Sequence, residues 1–219
     1  MSTQKVSDAG VGAKNRARIL TAAEKAFASH GLKGTSVQQI ADEAGLPKTN
    51  VLYYFKTKLA LYLTILEDTL ALWNSHFDQA TADDDPADAL ASYIAEKMEL
   101  SRTRPLASKI FAMEILNGAP NLTAYFEEEH TVWMRSRTAV IQAWIDQGKM
   151  QPVAPEYLLF TIWGSTQHYA DFAAQITHLR GPMRKEEFRQ ATRDLVRLIL
   201  TGCGLAVPEQ YQVAEARHG

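Results

Sequence analysis

At 219 residues, with 46% apolar and 22% charged side chains, the chain can bury a substantial core and is neither disordered nor fibrous. No run approaches the ~20 consecutive apolar residues of a membrane span, and a lone Cys203 excludes an internal disulfide framework, so a cytoplasmic protein with no membrane partner is expected. Net charge is only −2, yet residues 1–60 hold nine Lys and Arg against four Asp and Glu, which leaves a basic head on an acidic body and suits a polyanionic partner met at one end.

The first dozen residues, MSTQKVSDAGVG, are small and polar and are expected to form a flexible arm over residues 1–12. A helix follows from about Ala13 to His30, with Ile19, Leu20, Ala23 and Phe27 inward and Gly31 and Gly34 ending it. In GLKGTSVQQIADEAGLPKTNVLYYFKTKLAL (Gly31–Leu61), Val37, Ile40, Ala41 and Ala44 recur at helical spacing and Gly45 supplies a turn. Thr35 or Ser36 can cap that helix through a hydroxyl. Leu46 plugs the turn, Pro47 opens the next helix, and Val51, Leu52 and Phe55 form an inward stripe. Lys48, Thr49, Asn50, Tyr53 and Tyr54 then point outward. A solvated helix face is normally rich in Glu, whereas no acid falls between Lys48 and Lys58 here. The pattern is a helix-turn-helix whose second helix carries groups that meet phosphates and base edges, with Thr35, Ser36 and Lys58 flanking it as further DNA-binding candidates.

Beyond it a long helix is expected from about Thr57 to Ala80, then others at about Ala87–Thr103, Pro105–Leu116, Leu122–Gln147, Pro155–His178 and Arg184–Thr201. Pro and Gly fall between these segments, and no alternating strand pattern competes. The fold class is therefore all-α: an amino-terminal three-helix domain with a helix-turn-helix (residues 13–57), a larger helical ligand-binding and dimerisation bundle (58–204) and a tail (205–219). The two carboxyl-terminal helices, Pro155–His178 and Arg184–Thr201, are the candidate dimer seam, judging from Leu195, Val196, Leu198 and Ile199. Glu127, Glu128, Glu129 and His130 read as a solvated helix face.

The segment TIWGSTQHYADFAAQI (Thr161–Ile176) gathers aromatic and polar groups where a helix interior usually buries Leu and Ile. Trp163 and Gln167 share a face with Ala170 or Asp171 one turn later, so an aromatic plate lies beside an amide that both donates and accepts. Ligand pockets combine flat apolar walls with a few convergent polar groups in this way. Enzyme readings do poorly: there is no glycine-rich phosphate loop, nucleophile elbow or paired-Cys metal spacing, and the His168–Asp171 pair has no third ligand. No metal and no cofactor are expected.

The run AGLPKTNVLYYFKTKLAL, within a stretch from Ile19 to Leu61, resembles the amino-terminal domain of the TetR family of bacterial transcription regulators. Where many relatives carry Ser, this chain has Pro47. The segments LYYF, ASYIAEKMELSR, MEILNGAP and WGSTQHYADFAAQ are similar to one branch of that family, the pyrimidine-utilisation regulators. The resemblance implies a homodimeric repressor that binds double-stranded operator DNA and releases it on meeting a small planar effector such as uracil or another pyrimidine. It further implies a pocket of Trp73, Trp163 and Gln167. A pocket lysine of that branch aligns with Ala91, so one cationic contact is expected to be missing. The alternatives are a TetR-type regulator with a lipophilic effector and a helical small-molecule-binding protein without DNA binding.

Overall fold

The computed structural model describes residues 3–212, and among these every regular element is helical. Helix α1 runs Thr3–Gly34, α2 Val37–Ala44, α3 Lys48–Phe55, α4 Lys58–Asp78, α5 Pro86–Thr103 and α6 Pro105–Leu116. A short α7 (Thr123–Tyr125) leads through a π-helical turn, Phe126–His130, into α8 (Thr131–Asp146); α9 is Pro155–Asp171, α10 Ala173–Arg180 and α11 Lys185–Gly202. The residues expected to form the arm divide: Thr3–Gly12 belong to α1, and Met1 and Ser2 lie outside the described residues. Of the tail, Glu209–Tyr211 make one 3₁₀ turn, and residues 213–219 also lie outside the described ones.

The chain divides into two compact units. One comprises the residues up to Leu70 together with Leu106–Asn121; the other comprises Ala71–Pro105 and the residues from Leu122 on. The first unit therefore includes α6 and most of α4 besides the three helices expected of the head. Its core is Ile19, Ala23, Phe27, Ile40, Ala41, Val51, Phe55, Leu61, Tyr62 and Leu66, all buried. Fully burying one such side chain stabilises the fold by roughly 1.5–3 kcal/mol. Phe27 and Tyr62 meet edge to face with centroids 5.1 Å apart, an arrangement aromatic quadrupoles favour. Deeper in this unit the Tyr62 hydroxyl donates to Glu114 Oε2 at 3.0 Å, and Glu114 also accepts from the Asn121 backbone amide at 2.7 Å.

The second unit is built on α5, which packs against both α9 and α11. Leu90, Tyr93, Ile94, Met98, Trp144, Leu159, Ile162, Val196 and Leu200 form its core. The buried Ser101 hydroxyl donates to the Thr166 carbonyl at 2.8 Å and ties α5 to α9. Arg137 donates to the carbonyls of Phe77, Asp78 and Ala80 at 2.7–2.9 Å, satisfying acceptors left over where α4 ends. Two expected helices are interrupted. The π turn inserts an extra residue before α8, and the helix expected through His178 breaks at Phe172, whose φ of −108° and ψ of 23° end α9.

Candidate functional site

In the first unit the helix-turn-helix forms from strictly local signals. Ser36, not Thr35, caps α2: its hydroxyl accepts from the Gln39 amide at 3.1 Å, and the Gln39 side chain accepts from the Ser36 amide at 2.8 Å. Thr35 is buried, its hydroxyl donating to the Gly31 carbonyl at 2.8 Å, so it offers no side chain to a phosphate. Gly45 turns the chain at φ 62°, ψ 40°, a left-handed conformation that a side chain disfavours. A Cβ there would also lie 2.9 Å from Arg18 Nη2, the group that donates to the Ala44 carbonyl at 2.6 Å and locks α1 to the turn.

On α3, Val51 and Phe55 face the core while Lys48, Thr49 and Tyr53 are exposed and Asn50 and Tyr54 half-buried. Leu52, expected inward, is exposed instead: an eight-residue helix has room for one buried stripe, and Val51 and Phe55 fill it. Tyr53 and Tyr54 meet edge to face at 5.2 Å, and Lys56 Nζ lies 5.7 Å from the Tyr53 ring centre, so the outer face is aromatic and cationic together. Lys58 is half-buried and donates to the Thr35 carbonyl at 2.6 Å, bridging the start of α4 to the start of α2. An ammonium has three protons, which leaves two for an outside acceptor.

In the second unit Trp163, Gln167 and Asp171 recur every fourth residue of α9 and share one face. Trp163 Nε1 donates to the Tyr93 hydroxyl at 2.8 Å. One turn further along α5 stands Lys97, 4% exposed, its ammonium 4.7 Å from the Trp73 ring centre and 5.8 Å from that of Tyr93. Burial pulls the Lys97 pKa down to about 7, with the charge of Asp171 opposing the shift. His130, the last residue of the π turn, lies parallel to Trp133 at 5.6 Å and 5.6 Å from Trp163. Its Nδ1 is buried and has no hydrogen-bond partner among the described residues. Burial and the Lys97 charge both hold the imidazole below its ordinary pKa.

Trp73 and Trp163, far apart in sequence, thus border one aromatic cluster through Lys97 and Tyr93, with the half-buried Gln167 on the Trp163 face. Ala91 is buried in the core. Lys97, from another turn of the same helix, brings a cation to Trp73. The expected solvated face divides: Glu127, Glu128 and Glu129 are exposed, but His130 turns inward. A signal for Lys97 was available, since Leu90, Ile94, Lys97 and Ser101 fall at i, i+4, i+7 and i+11, a core stripe in which a lysine is out of place. His130 depends on the π turn, which shifts the helical register and leaves no trace in the spacing. No helix among the described residues is long and apolar enough to cross a membrane.

Two family profiles match the chain. Residues 19–65 match that of "Bacterial regulatory proteins, tetR family", and residues 66–206 match that of "YcdC-like protein, C-terminal region". The HTH-type transcriptional regulator RutR of Escherichia coli strain K12 is 41% identical over 194 residues, 88% of this chain and 91% of the relative. Among solved structures, the ketosteroid transcriptional regulator KstR2 of Mycobacterium tuberculosis superposes with a TM-score of 0.64 at 20% identity, covering 86% of this chain and 94% of that one. AibR in complex with isovaleryl coenzyme A and operator DNA gives 0.63 at 19% identity, covering 84% and 97%.

Proposed function

The chain belongs to the TetR family of bacterial regulatory proteins and is an HTH-type transcriptional regulator, and from that premise we propose that it is a homodimeric repressor released from its operator by a small planar molecule of the pyrimidine class. The effector class is supported by one observation: of the residues that the pyrimidine-utilisation branch suggests, Trp73 and Trp163 border a single cluster in the second unit, and Gln167 stands one turn from Trp163 along α9. A base stacks on an indole while the Gln167 amide pairs with its amide edge through one donor and one acceptor. A buried ammonium beside these rings disfavours a long lipophilic effector, which offers that charge no partner.

On DNA, each subunit lays α3 in a major groove, and two-fold symmetry calls for a near-palindromic site with half-sites about one helical turn, ~34–36 Å, apart. Lys48, Tyr53, Tyr54 and Lys58 hold backbone, with Ser36 at the start of α2 beside them; Thr49 and Asn50 read base edges. Thr35 contributes only its carbonyl, as the anchor of Lys58. The exposed Tyr157 and Phe160 on α9 and Leu198 on α11 make the dimer seam. Val196 and Ile199, expected there, belong to the subunit's own core. The regulator works in the cytoplasm, where its operator is, and carries out no catalysis. Ligand acts through the difference in its affinity for the DNA-bound and free states.

The test is direct. A duplex enriched from a random pool by the purified protein is labelled, and its release is followed by fluorescence anisotropy as uracil, thymine or a long-chain acyl compound is added. Release by a pyrimidine alone supports the reading. Release only by the acyl compound, or no salt-dependent binding to any duplex, contradicts it.

A further inference from the structure

Three cations recur every fourth residue along α11, Lys185, Arg189 and Arg193, and so share one face of it. Like charges at that spacing repel one another and weaken a helix. The stripe borders a cleft of about 250 Å³ between α5, α11 and the 3₁₀ turn Glu209–Tyr211, and no residue of the tryptophan cluster lines that cleft. Its apolar wall is Met98 of α5, 1% exposed, with the half-buried rings of Phe188 and Tyr211. Glu99 is the one acid among the lining residues, and it is already engaged: Arg102 Nε donates to its Oε2 at 2.8 Å. The hydrogen bonds from Arg102 hold the Glu99 carboxyl below its ordinary range, and the charges of Lys185 and Arg189 act in the same direction. Beyond the lining, Glu186 meets Arg189 Nη1 at 3.3 Å and Arg193 Nη2 at 3.6 Å. Each contact uses one nitrogen, which leaves most of the Arg189 N–H groups for another acceptor.

We propose that this cleft is a second small-molecule site and that it takes an aromatic carboxylate. The ring lies against Met98, Phe188 and Tyr211, and the carboxylate meets Lys185 and Arg189 at the rim. The ligand class follows from how the chemistry is divided: a flat apolar wall beside a surplus of cations favours an organic anion over a neutral or cationic ring. A thioether and two aromatic rings favour a planar body over a branched one. Because the lining comes from both α5 and α11, a bound anion links the two helices and stabilises the unit by mass action. The assignment is independent of the pyrimidine reading.

The experiment is equilibrium dialysis of labelled benzoate, benzamide and acetate, at millimolar concentration and low salt, against the full chain. The native protein is compared with Lys185→Ala, Arg189→Ala and the double variant. Benzamide keeps the ring and loses the charge, whereas acetate keeps the charge and loses the ring. Benzoate is expected to bind about tenfold more tightly than either, and to weaken as salt is raised because exposed charges are screened. An exposed cation contributes modestly by itself, so each single variant is expected to bind benzoate about threefold more weakly and the double variant about tenfold. Both side chains are exposed, and circular dichroism with thermal unfolding checks that each variant folds. Should a variant misfold, the three compounds on native protein still decide. Equal affinity for benzoate and benzamide, or for benzoate and acetate, overturns the ligand class. Undiminished benzoate affinity in the double variant places the anion elsewhere and overturns the site. No retention of benzoate by native protein overturns the proposal outright and leaves the DNA-binding and pyrimidine readings as they were.

Discussion

Tyr62 on α4 and Glu114 on α6 share a buried hydrogen bond of 3.0 Å, and the same carboxylate holds the Asn121 amide at 2.7 Å. One side chain thereby fastens α6 and the turn after it to α4 within the helix-turn-helix unit. Burial and the Glu114 charge hold the Tyr62 phenol above its ordinary pKa. Glu114→Ala leaves a buried hydroxyl and amide without acceptors, at about 1–3 kcal/mol each before relaxation. Tyr62→Phe removes a donor but leaves the Asn121 contacts, and is expected to cost less, about 1 kcal/mol. Urea unfolding of the two variants reads the order; a larger loss in Tyr62→Phe contradicts this account of the carboxylate.

What could be read from sequence followed the range of the forces. The α2–turn–α3 segment was legible because its determinants lie within a few residues: apolar spacing, a glycine for the left-handed turn, a hydroxyl cap. Even there the cap is Ser36 and not Thr35, since the next residue decides which hydroxyl is buried. Leu52 shows that an apolar type does not place a side chain inward when a short helix has one inner stripe. Lys97 is hidden by its type, since a lysine ordinarily lies at the surface, although its position in the α5 stripe points inward. The break at Phe172 and the π turn at Phe126–His130 leave no mark in the helical period.

Lys48 and Lys58 separate two kinds of loss at the DNA. Lys48 is exposed, with nothing to lose in the fold, so Lys48→Ala is expected to weaken binding evenly across sequences and to lower the salt slope by about one. Lys58→Ala is expected to lower the slope likewise and also to cost about 1–3 kcal/mol of stability, because it frees the Thr35 carbonyl. Thr49→Ala and Asn50→Ala are expected to change base preference instead. Anisotropy titrations over a range of salt, paired with thermal unfolding, check all four. An unchanged slope in Lys58→Ala rules out its phosphate contact.

The dimer seam separates two neighbouring positions of α11. Leu198 is 72% exposed in the single chain and Val196 is 0% exposed. Leu198→Glu is expected to give a folded monomer at micromolar concentration, because the new charge opposes only association. Val196→Glu buries an uncompensated carboxylate inside the subunit and is expected to unfold it. Sedimentation with circular dichroism distinguishes them. A native monomer, or a Leu198→Glu dimer, removes α11 from the interface.

The depressed pKa of Lys97 has a sign that can be measured. With a folded pKa of about 7 against an ordinary value of 10.5, the unfolded chain binds more protons than the folded one between those values. Stability from this group therefore rises as pH climbs from about 7 towards 9, by up to about 1.4 kcal/mol per pH unit. Asp171, His130 and the Tyr93 phenol are the titratable neighbours; His130 is neutral across this window, and Tyr93 is held above it by burial. Lys97→Met is expected to flatten the rise. Urea unfolding at pH 7 and pH 9 tests it, and a rise of equal size in the variant assigns the effect elsewhere.

Gln167 offers the sharpest separation of binding from release. It lies one turn from Trp163 on a face of α9 that includes Asp171, in a unit distinct from the one that carries α3. Nothing in the helix-turn-helix depends on its amide. Gln167→Ala is therefore expected to keep operator affinity within about twofold while losing the response to a pyrimidine by tenfold or more, since a ring amide then enters the site without its partner. In a reporter strain the variant represses and does not release. Trp163→Ala is expected to lose the same response and some stability besides, because its ring covers His130 and its nitrogen holds Tyr93. Release of Gln167→Ala at the native concentration of pyrimidine would move the effector away from this face of α9, while the DNA-binding assignment of α3 would stand.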